Sequence, residues 1–297
     1  MNDLVRCVGL RRGLDKPGAN PANLLMRIHQ ALILCAVLIT LPAFGAEPKP
    51  LRALLITGGC CHDYTKQKDI LKKGLEERAY VEVDQIHTDD KSTKPPLAIL
   101  GNPDYAKGYD IVIHDECASD VSDPKIIAGV LAPHRNGLPG MNLHCAMHCY
   151  RVGNPNQKAE AGSERSAWFD YLGLQSSGHG PQEPIAITFT DTTHPITKGL
   201  TNWTTIREEL YNNIQVFPTA TPLARGKQSI KQKDGTSKDV ETVVAWANKF
   251  GKSRVFSTTI GHNNSTVSDA RYLDFLARGL VWACAKPEQV YLKPAAK

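Results

Sequence analysis

Several things this 297-residue chain lacks narrow what it is. It has no apolar run that reaches the roughly 20 residues needed to cross a bilayer comfortably, though an uncleaved anchor stays an alternative to a cleaved signal. The longest, residues 31–44, is shorter and uncharged. No CxxC occurs, so the cysteine spacing fits no zinc ribbon. No basic stripe interleaved with aromatics is present, which argues against nucleic acid as a partner. Neither an internal repeat nor a linker rich enough to split the chain is visible.

The short apolar run has a context. Arg27 and His29 precede it, and Ala43, Gly45 and Ala46 follow it. A basic region, an apolar core and small residues together read as an export signal, with cleavage near Gly45 or Ala46. Residues 1–45 are therefore expected to be a signal peptide. Residues 1–25 are long and rich in Arg, Pro and Gly for such a segment, so Met26 is an alternative start. Without residues 1–45, which carry five Lys/Arg and two Asp/Glu, the formal charge falls from +5 to +2. Residues 46–297 are expected to form one domain, large enough for a core without staples. Export implies the periplasm or the outside of the cell. There some of the six remaining cysteines have the option of pairing. Cys117 and Cys284 read as small buried hydrophobes, and Cys60-Cys61 as two free thiols on a turn rather than a vicinal disulfide.

The patterning gives an α/β fold. Residues 52–57, 109–114 and 137–143 read as buried strands, and 81–87 as a more exposed one. Residues 65–79 and 269–284 read as amphipathic helices, and another is expected from Asp123-Pro124. Strands alternating with helices imply a mostly parallel sheet with helices on both faces. Further strands are expected at 185–190, 214–216, 242–246 and 254–258. Residues 151–165 and 226–240 read as polar loops.

Ligands of such sheets bind beyond the carboxyl ends of the strands. There the chain supplies Gly58-Gly59-Cys60-Cys61-His62-Asp63-Tyr64, then Asp115-Glu116, then His144-Cys145-Ala146-Met147-His148, then Gly261-His262. Three of four strand ends deliver histidine, which offers a neutral metal-ligating nitrogen or a proton carrier near neutral pH. Candidate catalytic residues are His62, Asp63, His144, Glu209 and His262. Gly58, Gly59, Tyr64, His179 and Tyr211 are candidates for substrate binding. His144, His148 and His262 are candidate metal ligands, since His144 and His148 are four apart as in helical HxxxH pairs. Asp63 also reads as the cap of the helix at 65–79, and His194 as a capping or packing residue.

Thr57-Gly58-Gly59…His62-Asp63, Leu143-His144-Cys145-Ala146, His194-Pro195-Ile196-Thr197-Lys198-Gly199-Leu200, Glu208-Glu209-Leu210-Tyr211, Gly251 to Phe256 and Gly261-His262 follow one another in an order that resembles the ThuA-like, trehalose-utilisation family. The resemblance spans about Arg52 to Cys284. It implies a flavodoxin-like, class I glutamine amidotransferase-like fold with a nucleophile-elbow turn, and a role in disaccharide or keto-sugar metabolism. An amidotransferase carries Cys in a Gly-x-Cys-x-Gly elbow and a late His-x-Glu pair. Here His144 takes the elbow slot and Asn263-Asn264 follow His262, so glutamine amidotransferase activity is not expected.

Two functions remain open at this point. One is a sugar-processing lyase, isomerase or hydrolase that uses acid/base histidines or a divalent metal such as zinc. The other is a non-catalytic carbohydrate-binding protein on an enzyme fold; Trp168, Tyr171 and Trp203 are stacking candidates under either view. In either case the expected partner is a small-molecule carbohydrate, with no nucleic acid and no membrane contact beyond the signal; a homo-oligomer is left open.

Overall fold

The computed structural model describes residues 47–294. The expected export signal, the alternative start at Met26, Cys7 and Cys35 lie outside the described residues. Among those described, no helix is long and apolar enough to cross a membrane.

The sheet is built first from runs of apolar residues whose side chains alternate between two faces. In strand β1 (Leu51–Gly59), Leu51, Ala53 and Leu55 join one core, while Leu54 and Ile56 join another. Helices α1 (Tyr64–Arg78) and α5 (Ala270–Ala283) cover the first face through Leu71, Leu75, Leu273, Leu276 and Leu280. Helices α2 (Pro124–Arg135) and α3 (Ala167–Leu172) cover the second through Ile127, Val130, Leu131, Trp168 and Phe169. Each such side chain contributes about 1.5–3 kcal/mol on burial. Two helices start as the sequence suggests. Asp123 accepts from the Lys125 amide at 2.8 Å ahead of Pro124, and Asp269 accepts from the Arg271 amide at 2.9 Å.

Strands β2 (Val81–Thr88), β3 (Ile111–Cys117) and β4 (Gly140–Leu143) follow, then β5 (Leu174–Phe189), β6 (Trp203–Val216), β7 (Ala220–Lys231), β8 (Ser237–Phe250) and β9 (Ser253–Thr258). Short helices α4 (Asn264–Val267) and α6 (Glu288–Tyr291) precede and follow α5. The nine strands lie in the order β2-β1-β3-β4-β9-β8-β7-β5-β6. The first five are mutually parallel, and every pairing from β9 onward is antiparallel. The sheet is thus mixed, with the expected parallel architecture in its β2–β9 half.

The expected loop at 226–240 is a β7–β8 hairpin that turns at 232–236. The substrate-binding candidate His179 sits in β5. Four register shifts interrupt the β5–β6 pairing, and such bulges bend a ribbon. The bend matters for function. It lets the middle of β6, an edge strand, reach the rim where β1, β4 and β9 end, and Glu208 there bonds the backbone after β9.

Candidate functional site

The three histidines expected after strand ends meet at that rim. Their ring centroids are 4.7 Å apart for His62–His144, 4.7 Å for His62–His262 and 5.5 Å for His144–His262. One ring nitrogen from each lies within 4.8 Å of the other two. The register explains the meeting. Gly59 of β1 pairs with Cys117 of β3, and Leu143 of β4 pairs with Thr258 of β9, so the loops that follow leave from adjacent points.

His144 opens a 3₁₀ turn (His144–His148) with φ +39°, a left-handed conformation that residues other than glycine seldom adopt. Its Nδ1–H donates to the Thr259 carbonyl at 2.7 Å, which leaves Nε2 as the bare nitrogen facing the site. His262 is held from three sides. Its amide and that of Asn263 donate to Glu208 Oε2 and Oε1 at 2.9 and 3.0 Å, and Gln67 Nε2 donates to its carbonyl at 2.9 Å. Gln182 Nε2 lies 2.8 Å from His262 Nε2.

Glu209 bridges the imidazoles. Its Oε2 is 3.4 Å from His144 Nε2, its Oε1 is 3.3 Å from His262 Nδ1, and His179 Nε2 lies 3.6 Å from Oε2. These approaches are ion-pair distances without hydrogen-bond alignment. His62 Nδ1, His144 Nε2 and His262 Nδ1 are consequently all buried with no hydrogen-bond partner.

The electrostatics follow from this packing. Burial, then the neighbouring His144 and His262, push the His62 pKa down to about 2, so the ring is neutral across the physiological range. Burial alone would raise Glu209. The imidazoles of His144 and His262 outweigh it and hold the carboxyl well below its ordinary range. Glu209 in turn raises His262. Beside the trio opens a cavity of about 580 Å³ lined by Cys61, His62, Asp63, Lys91, His262 and Asn264, among others. That volume suits a small ligand.

Several expected roles change. His148 is not in the cluster: its Nε2 pairs with Ser176 Oγ at 2.9 Å and its ring stacks on Tyr211 at 4.2 Å. Helical i,i+4 spacing fails on a 3₁₀ turn, which advances about 120° per residue and points the two side chains apart. Burial, chiefly, lowers the His148 pKa. Asp63 precedes α1 but its side chain does not cap it. It accepts from Asn264 Nδ2 at 2.8 Å and pairs with Lys66 at 3.0 Å, while Glu209 is the carboxylate at the histidines.

Of the five substrate-binding candidates, four are structural. A Cβ on Gly58 would stand 2.6 Å from Thr88, and one on Gly59 would stand 2.1 Å from the Cys117 carbonyl oxygen. Tyr64 is buried with Cys117 and Cys145, and Tyr211 lies beneath the site, 5.0 Å from the His144 ring. His179 is exposed next to Glu209, and its Nδ1–H donates to the Gly180 carbonyl at 2.9 Å. Trp168 and Tyr171 are core residues, and Trp203 carries Arg271 over its ring. Cys60 and Cys61 form a disulfide rather than two free thiols, and Cys117 lies against Cys60 and Cys145 rather than serving as plain apolar filler. Sequence reasoning did not select Glu208 or Gln182. Glu208's place beside Glu209 was the available signal.

The family model described as trehalose utilisation, ThuA, matches residues 52–283. A ThuA-like protein from Parabacteroides merdae is 20% identical with a TM-score of 0.55, over 80% of this chain and 91% of its own. A ThuA-like protein from Bacteroides uniformis is 17% identical with a TM-score of 0.53, over 84% and 98%. A cytoplasmic protein from Salmonella typhimurium is 11% identical with a TM-score of 0.50, over 82% and 100%. At these identities the structures speak to the fold alone. None of the curated proteins matches this chain.

Proposed function

The chain belongs to the ThuA, trehalose-utilisation family, and from that premise we propose that it is an exported enzyme that processes a disaccharide or keto-glycoside at a divalent-metal site. The observation that carries the reading is the set of three ring nitrogens, one each from His62, His144 and His262, that lie within 4.8 Å of one another beside the Glu209 carboxylate. A buried polar atom left unpaired costs about 1–3 kcal/mol, and His62 Nδ1 and His144 Nε2, which have no hydrogen-bond partner, suit a shared cation. Three protein ligands with an open position is the pattern of catalytic zinc. Glu209 supplies the negative charge, and Thr259 fixes the His144 tautomer through the other ring nitrogen, the usual support for a ligating imidazole.

The lowered pKa of His62 favours a ligand over a general base at that position. An imidazole whose conjugate acid forms only near pH 2 is a poor proton acceptor at neutral pH, but it is always ready to ligate. A divalent ion held there supplies Lewis-acid stabilisation of a carbonyl or developing oxyanion. His179, outside the trio with Nε2 3.6 Å from Glu209, takes the proton-transfer role in this reading. Asp63, Lys91 and Asn264 line the cavity and offer hydrogen bonds to sugar hydroxyls. The positive-φ turn at His144 is read as an amidotransferase-like elbow that carries a ligand in place of a nucleophile. Cys145 beside it is buried and does not line the cavity, so it does not face a substrate. The non-catalytic sugar-binding alternative is less well supported, because no Trp, Tyr or Phe ring lines the cavity.

Metal analysis of the purified protein after equilibration with zinc, manganese or cobalt, and dialysis, tests this. About one ion per chain is expected, lost in His62→Ala and His144→Ala. Proton exchange in D₂O next to the carbonyl of a keto-disaccharide, followed by NMR, is expected to disappear in the same variants. Retention of the ion in both variants, or no ion under any condition, overturns the metal reading.

A further inference from the structure

Beneath the histidine rim lies a second group of reactive side chains that the proposed function leaves unused. Cys60 and Cys61 form a disulfide on the loop after β1. Cys117, at the end of β3, has its sulfur 3.4 Å from Cys60 Sγ. Cys145, on the turn after β4, has its sulfur 2.7 Å from Cys117 Sγ. The sulfurs of Cys60, Cys61 and Cys117 all lie within 4.8 Å of one another. Three separate segments therefore bring four sulfurs into one cluster, from exposed Cys61 at the cavity to buried Cys145. The fold enforces this approach. Gly59 pairs with Cys117, and its lack of a side chain lets the two backbones come together.

We propose that Cys61, Cys60, Cys117 and Cys145 form an internal thiol–disulfide relay that moves one disulfide between the cavity wall and the buried turn beside His144. In the first step the Cys117 thiolate attacks Cys60 Sγ. The Cys60–Cys117 bond forms, the Cys60–Cys61 bond breaks, and Cys61 leaves as a thiolate that takes up the proton Cys117 lost. In the second step the Cys145 thiolate attacks Cys117 Sγ. The Cys117–Cys145 bond forms, the Cys60–Cys117 bond breaks, and Cys60 leaves with the proton from Cys145. Two thiols are oxidised and one disulfide is reduced, so no outside oxidant or reductant enters.

Cys117 suits the attacking role. The hydrogen bond from Cys145 holds its thiol below the ordinary value, and thiolate is the reactive form. Cys145 suits the second step by position, since its sulfur lies 2.7 Å from Cys117 Sγ. The two isomers differ next to the site. One has a closed disulfide beside His62. The other frees two thiols there, one of them on the cavity wall within reach of an external thiol or thiophilic ion.

Peptide mapping of the full chain tests the relay: acid quench, alkylation with N-ethylmaleimide, non-reducing digestion and mass spectrometry. Wild type is expected to give both the Cys60–Cys61 and the Cys117–Cys145 disulfide. Cys145→Ser is expected to stop at Cys60–Cys117 with Cys61 alkylated, and Cys117→Ser to show Cys60–Cys61 alone. Wild type with Cys60–Cys61 intact and both Cys117 and Cys145 fully alkylated overturns the proposal, whatever the variants do.

Discussion

Glu208 touches no imidazole, yet it fixes where His262 stands, because both carboxylate oxygens are used by the His262 and Asn263 amides. Hydrogen bonds to a buried charge are worth about 1.5–3 kcal/mol each. Glu208→Ala is therefore expected to cost about 3 kcal/mol in urea denaturation and to weaken metal retention together with stability. Unchanged stability would refute the anchoring role. Gly59 is a second fixed point, with φ +99° and the Cys117 carbonyl where a Cβ would go. Gly59→Ala is expected to lose at least about 2 kcal/mol by the same measurement. At this scale the sequence showed His62, His144, His262 and Glu209 well, since three of them follow strand ends and chemistry gathers there. It concealed Glu208 and Gln182, which look like ordinary polar residues of exposed strands. It misplaced His148, because the i,i+4 rule assumes an α-helix and the turn is 3₁₀.

Two helical glycines separate propensity from packing. In a helix interior alanine is favoured over glycine by about 1 kcal/mol. At Gly129 of α2 nothing lies within 4 Å of an added Cβ, so Gly129→Ala is expected to raise stability by up to about 1 kcal/mol. At Gly279 of α5 the added Cβ would sit 2.2 Å from the Phe256 ring. Overpacking costs about 1–3 kcal/mol and wins there, so Gly279→Ala is expected to lower the thermal midpoint. Opposite signs in paired melting curves are the check, and equal signs would contradict the packing. Legibility also varied by element. Helix α5 announces itself through the helical spacing of Tyr272, Leu273, Leu276, Leu280 and Val281, all of them buried. Strand β5 does not, because Ser, Gly and Pro crowd its first half and its bulges break the two-residue alternation. The β7–β8 hairpin was hidden by its polar tip, which reads as loop.

The molecule as a whole should be sensitive to acid. Burial first, and neighbouring positive charge second, lowers His62 to about 2, His134 to about 3, and His148 well below its ordinary value. An unfolded histidine binds a proton near pH 6.5. Below that pH the unfolded chain takes up protons that the folded chain refuses, so stability falls as pH drops from about 6.5 toward 3. Raised His262 acts in the opposite sense, but as one group against three. Urea midpoints are expected to decline as pH falls from about 6.5 to 5; a level profile over that range would contradict the burial of these rings. The most direct test of the central claim is an anomalous difference map at the zinc edge from crystals of the zinc-equilibrated protein. The account predicts a single strong peak among the ring nitrogens of His62, His144 and His262 and beside Glu209. A map with no peak there, or with zinc bound only elsewhere, would contradict it.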